Sequence, residues 1–167
     1  MPHEPRLTQA LRALLTSRRT AALGTLDAAN PGQPFVSMVP YAIEPDSGNF
    51  IVHLSGLAPH TRNLQQHPQA SLMVCAAEVK GEPVHALARV TLDVMADTLP
   101  EGHPEQPAAR AAYLARFPEA EPMTGFGDFR FVRLRATGAR QVAGFGAARS
   151  VDANELAAVL RGAALPE

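Results

Sequence analysis

The chain has 167 residues, 46% of them apolar and 19% charged, with a formal net charge of −1. That balance suits one folded domain with a sizeable core and excludes a disordered chain, a polybasic nucleic-acid surface and a basic membrane patch. A single cysteine rules out an intrachain disulfide, and Cys75, inside the apolar run 72–77, reads as a small core residue.

Only a short apolar stretch follows the basic pair Arg18-Arg19, and no apolar run reaches bilayer-spanning length. The expectation is a cytoplasmic protein without a secretion signal or a membrane partner. Leu7, Leu11, Leu14 and Leu15 recur at helical spacing behind Pro5, which predicts an amphipathic helix over residues 5–17. The period then changes. Residues 21–26, 35–43 and 50–54 read as strands, separated by turn-forming runs at 27–32 and 44–49. Pro40 removes one ladder hydrogen bond, so its strand borders an edge or a gap. Such a gap exposes backbone amides and carbonyls to a planar ligand; an edge strand with no further role is the plainer alternative.

A short helix opens at Thr61 and stops before Pro68. Strands follow at 71–76 and 84–95, the second with a clear period of two: Val84, Ala86, Ala88, Val90, Leu92 and Val94 on one face, His85, Leu87, Arg89, Thr91, Asp93 and Met95 on the other. A proline-rich loop spans 97–107, a helix 108–117, and a final hairpin pairs 129–134 with 140–145 around Thr137-Gly138. Asp152 and Glu155 make a capping box for a closing helix near 152–161. These elements predict a mainly β fold with peripheral helices, a small antiparallel barrel of α+β type in one domain.

The stretch His53–Pro68 carries the strongest chemical signal. A strand ends at Ser55 and Gly56, and a helix then begins with Thr61 as its N-cap and His60 and Arg62 beside its first turn. Free amides and the helix dipole favour an anion there. A capped surface helix with an incidental arginine is the competing reading. Gly125-Phe126-Gly127 and Gly144-Phe145-Gly146 repeat one pattern, and the second copy could edge a pocket. Neither matches a dinucleotide fingerprint. The six histidines lack metal-ligand spacing, and no serine sits in a nucleophile elbow. Asp128 and Arg130 read as a turn and a solvated pair.

The runs Ala22–Asp27 and Gly32–Tyr41, the stretch Leu54–Pro68 and the two Gly-Phe-Gly motifs together resemble the pyridoxamine 5'-phosphate oxidase-like family, its haem-utilisation branch in particular, across residues 8–149. The resemblance implies an FMN-binding split-barrel homodimer with the flavin at the subunit interface. A small-molecule substrate or electron donor completes that picture. It sets the phosphate against Ser55, His60, Thr61, Arg62 and Asn63, and the ring along Ser37, Met38, Val39 and Pro40. It draws Arg89 from the other subunit, with Phe145 and Gly146 closing the site. The activity implied is that of a small oxidoreductase, with no catalytic acid or base assigned; a non-enzymatic FMN or haem-binding module and a haem-degrading protein are the alternatives. His60 stands where many members have lysine, which predicts FMN affinity weakening between about pH 6 and 8. In 142–149 only Arg149 is basic, which argues against pyridoxine phosphate oxidation. No histidine follows His103, so haem ligation from a C-terminal extension has no candidate here.

Overall fold

The computed structural model describes residues 4–162. In chain order these form α1 (Arg6–Ser17), β1 (Thr20–Leu26), β2 (Pro34–Pro40), β3 (Ala42–Ile43), β4 (Phe50–Ser55), α2 (Pro59–Gln66) and β5 (Gln69–Cys75). There follow β6 (Arg89–Leu99), α3 (Gln106–Arg116), β7 (Phe129–Val142), β8 (Ala148–Asp152) and α4 (Ala153–Leu160), with 3-10 turns over Val84–Ala86 and Pro118–Gly125. No helix among the described residues is long and apolar enough to cross a membrane.

All strand pairs are antiparallel, in the order β2-β1-β5-β6-β7-β4-β3, with β8 added to β7. β2 and β3 follow one another in the chain yet occupy opposite ends of that order, with only Tyr41 between them. One residue advances the chain by about 3.8 Å, so the two ends of the sheet must come together, and the sheet curls into a half-barrel with a seam at Tyr41. Tyr41 fastens the crossing: its hydroxyl donates to the Leu15 carbonyl at 2.6 Å and its amide to the Arg19 carbonyl at 3.1 Å. This is the antiparallel split-barrel architecture.

Two apolar clusters hold it. Inside the curl, Leu23, Leu72, Leu92 and Val52 pack with the buried stripe of α1 (Leu11, Leu14, Leu15) and with Leu156, Val159 and Leu160 of α4. Outside, α3 covers β4 and β7 through Ala109, Tyr113 and Phe117 against Ile51 and Phe131. Asp152 caps α4, accepting from the Glu155 amide at 2.9 Å, as the capping box predicts.

Four local expectations are corrected. The strand expected at 84–95 begins only at Arg89 and runs on to Leu99, because Pro83 opens a 3-10 turn over Val84–Ala86. The final hairpin turns elsewhere: β7 continues through Thr137-Gly138, where a bulge opposite Asp93 and Val94 absorbs one residue. Its turn lies instead between β7 and β8, where Gly144 (φ +122°) and Gly146 (φ +72°) adopt backbone angles that side chains rarely allow. Thr61 is not the cap of α2; Ala58 is, with Pro59 opening the helix. Cys75 lies outside the core clusters, partly buried at the end of β5.

Candidate functional site

The seam sets the geometry. β4 ends at Ser55, and Gly56 must pass close to the loop before β7: its amide donates to the Asp128 carbonyl at 2.5 Å, and a Cβ there would meet that same oxygen at 3.0 Å. The chain then turns into α2, which lies against β1 and β2 at the seam. His60, half-buried on its first turn, places Nδ1 at 2.8 Å from the Ser37 hydroxyl of β2. Burial holds the His60 pKa below its ordinary value, so the imidazole of the free protein is neutral at pH 7. Any pH window for an anion held by His60 therefore opens below pH 6.5.

The other residues expected around a phosphate divide into two kinds. Ser55 donates its hydroxyl to Asp128 at 3.0 Å, and Thr61 donates to the Ser55 carbonyl at 2.5 Å. Buried Asn63 accepts from the Ala28 amide at 2.8 Å and donates to the Thr25 hydroxyl at 2.9 Å, which pins the β1–β2 turn to α2. These three shape the corner from within. Arg62 points to solvent, and among the described residues no carboxylate pairs with it. Its charge reaches Asp27, whose carboxyl is held below the usual carboxylate range chiefly by the Ala29 and Asn30 amides. The cationic handle of the corner is thus Arg62, with the His60–Ser37 pair beside it.

β2 is an end strand of the sheet order, as Pro40 leads one to expect, so one row of its amides and carbonyls has no partner strand. Ser37 and Val39 turn inward, while Met38 and Val36 turn outward and are 68% and 67% exposed. Arg89 stands at the start of β6, its guanidinium donating to the Leu87 carbonyl at 2.9 Å. Register places Pro40 beside Thr20 and Arg89 beside Cys75, so Arg89 lies about three strand spacings, or roughly 14 Å, from β2. Phe145, on the β7–β8 turn, is 73% exposed, and Gly144 of the same turn approaches the Ala86 carbonyl. Within one chain, then, the expected site residues form two groups: the α2–β2 corner, and Arg89 with Phe145 and Gly146.

Between them lies a groove of 570 Å³ on the outer face of the sheet. Its walls are Val36, Met38, Met73 and Leu87, with Cys75 on its floor and Arg18 and Glu78 as its charged groups. Arg18, Met73 and Leu87 were not singled out from the sequence. Only strand register reveals the stripe, by setting Met38 and Met73 on either side of Ala22 on the outward face.

A family model described as pyridoxamine 5'-phosphate oxidase matches residues 7–143. Heme oxygenase HutZ of Vibrio cholerae is 30% identical over 152 residues, which cover 90% of this chain and 84% of that protein. The chloroplastic heme oxygenase HOZ of Arabidopsis thaliana is 33% identical over 134 residues, or 80% of this chain, and the matched part is 39% of the plant protein's length. Among solved structures, a heme binding protein from Mycobacterium smegmatis superposes with a TM-score of 0.81 at 33% identity, covering 93% of this chain and 62% of that one. The chain therefore spans less than two thirds of the length of the plant and mycobacterial relatives.

Proposed function

The chain belongs to the pyridoxamine 5'-phosphate oxidase-like family, on the branch that holds the heme oxygenase HutZ, and we propose that it binds haem and supports its oxidative breakdown as a homodimer. The observation that carries this reading is the outward groove between β2 and Leu87. Its volume of 570 Å³ falls within the range of small-molecule sites. Its walls are apolar, which suits a flat macrocycle. Met73 and Cys75 offer the sulfur donors that haem iron accepts, and Arg18 offers a cation for a propionate. The residues present therefore fit the group.

Haem, when bound, supplies the iron at which oxygen and electrons meet. The protein holds the macrocycle and keeps water from it. One chain alone leaves the groove open, and a second copy laid over the exposed Val36 and Met38 would cover it. This reading takes the place of a flavin oxidoreductase as the first choice, because the names of the relatives concern haem. FMN stays as the second reading on one specific observation: the His60–Ser37 pair beside the solvent-facing Arg62 at the start of α2.

Titration with haemin tests both. The expected result is a saturable Soret band that shifts in the Cys75→Ser, Met73→Leu double variant and fades under a reductant in air. A stable Soret band under those conditions means holding without breakdown. A Soret band that stays that of free haemin at every protein concentration, with FMN taken up instead, overturns the haem reading in favour of the flavin.

A further inference from the structure

A second cavity, of 310 Å³, lies between α3, the 3-10 turn of 118–125 and the start of β7. Its aromatic wall is Phe126, Phe129 and Phe131, and Arg110 and Arg130 both line it. His53 of β4 borders it from beneath, is 9% exposed, and has its Nδ1 sealed with no hydrogen-bond partner among the described residues. We propose that this cavity is a binding site for a small planar carboxylate, distinct from the haem groove.

Charge argues for an anion. Neither arginine meets a carboxylate among the described residues. Each is held in place by its own neighbourhood: Arg110 donates to the Thr124 hydroxyl at 3.2 Å, and Arg130 donates through one nitrogen to the Gly127 and Phe129 carbonyls at 2.6 and 2.8 Å. Both guanidiniums keep further N–H donors, in a planar fork that matches a carboxylate. Gln106, also lining the cavity, opens α3, so the positive end of that helix lies at the same place. Glu101 is the one acidic lining residue, and with the two arginines it leaves a balance of +1, which matches a monoanion better than a phosphate dianion.

Shape argues for a flat body. The Phe129 and Phe131 rings lie 5.0 and 4.4 Å from the His53 ring, tilted by 32° and 31°, and so line the cavity with ring surface. The cavity is at the small end of ligand-site volumes, which admits a single ring rather than a macrocycle. Burial holds His53 uncharged, so it contributes a polar edge to that wall without a competing cation.

The test uses benzoate as the probe, titrated calorimetrically into the full chain, with acetate and inorganic phosphate in parallel. Benzoate is expected to bind saturably and more tightly than acetate, with phosphate weakest. Arg110→Met and Arg130→Met should each weaken benzoate about tenfold or more, the loss expected for one charged hydrogen bond. Arg62→Ala should leave it within about twofold, as should saturation with haemin. The proton resonances of the His53 ring, followed by NMR in the unaltered protein, should move on benzoate addition and so report the site without any substitution. No saturable binding at millimolar benzoate, a still His53 ring, phosphate binding as tightly as benzoate, or displacement of benzoate by haemin would each overturn the assignment.

Discussion

His53 should set the acid limit of this fold. The imidazole lies under α3, packed against Phe129, Phe131 and Tyr113, and burial alone pushes its pKa from 6.5 down to about 4. In the unfolded chain it titrates near 6.5, so between pH 6.5 and 4 the unfolded state binds a proton that the folded state refuses. Stability is fully present above pH 6.5, falls as the pH drops through the window, and levels off below about 4. A displacement of this size corresponds to roughly 3 kcal/mol, with a slope of at most about 1.4 kcal/mol per pH unit. Carboxylates also titrate toward the acid end, so the effect has to be isolated by comparison with His53→Phe. That change removes the titrating group and the orphaned Nδ1 while keeping an aromatic ring among aromatic rings. Urea unfolding of both proteins at fixed concentration, at intervals from pH 7.5 to 4, gives the difference directly. The variant should match or exceed the parent at pH 7.5, and its advantage should grow by about 3 kcal/mol by pH 4. An advantage that stays constant across the range, or that shrinks on acidification, would refute the reasoning.

Two further outcomes test the corner and the interface. Asn63→Ala removes the partner of the Ala28 amide and of the buried Thr25 hydroxyl, and should lower stability by about 2–3 kcal/mol, read as the urea midpoint. Met38→Asp places a charge on the outward apolar face; if the proposed homodimer closes there, the parent sediments as a dimer and the variant as a monomer with unchanged far-UV circular dichroism, and a variant that stays dimeric, or a monomeric parent, would refute that interface.

The parts of the fold legible in sequence are those where one local rule governs. Period 3.6 in 7–15 and the Asp152–Glu155 box each act within a few residues and appear as read, and the period two expected over 84–95 holds from Arg89 onward. The missed turns arise where a neighbouring strand decides. Thr137-Gly138 has turn chemistry, yet β6 pairs on both sides of it, so the extra residue becomes a bulge and β7 stays whole. In the α2 corner, Pro59 outranks Thr61 as the start of the helix because its fixed backbone angle suits the first helical position and its missing N–H is no loss there. The Thr61 hydroxyl then has nowhere to donate but back to Ser55.

The candidate site shows the same division. Residue types that attract an anion are visible one at a time, but whether a side chain is free to act depends on partners far away in sequence. Asn63 and Arg62 are neighbours; the Thr25 hydroxyl and the Ala28 amide engage one, and solvent receives the other. His53 reads as one polar residue in an apolar strand until β7 sets Phe129 and Phe131 beside it and α3 closes over it. The outward stripe of Val36, Met38 and Met73 is equally silent in sequence, because β2 alternates apolar residues on both faces and only strand register tells which face stays uncovered. An apolar face left open on a half-barrel calls for a partner, and a groove across that face places the ligand where the partner closes. On the proposed reading of a haem-binding homodimer, dimerisation and haem binding are a single question, and a Met38 variant that separates the subunits should release haem as well.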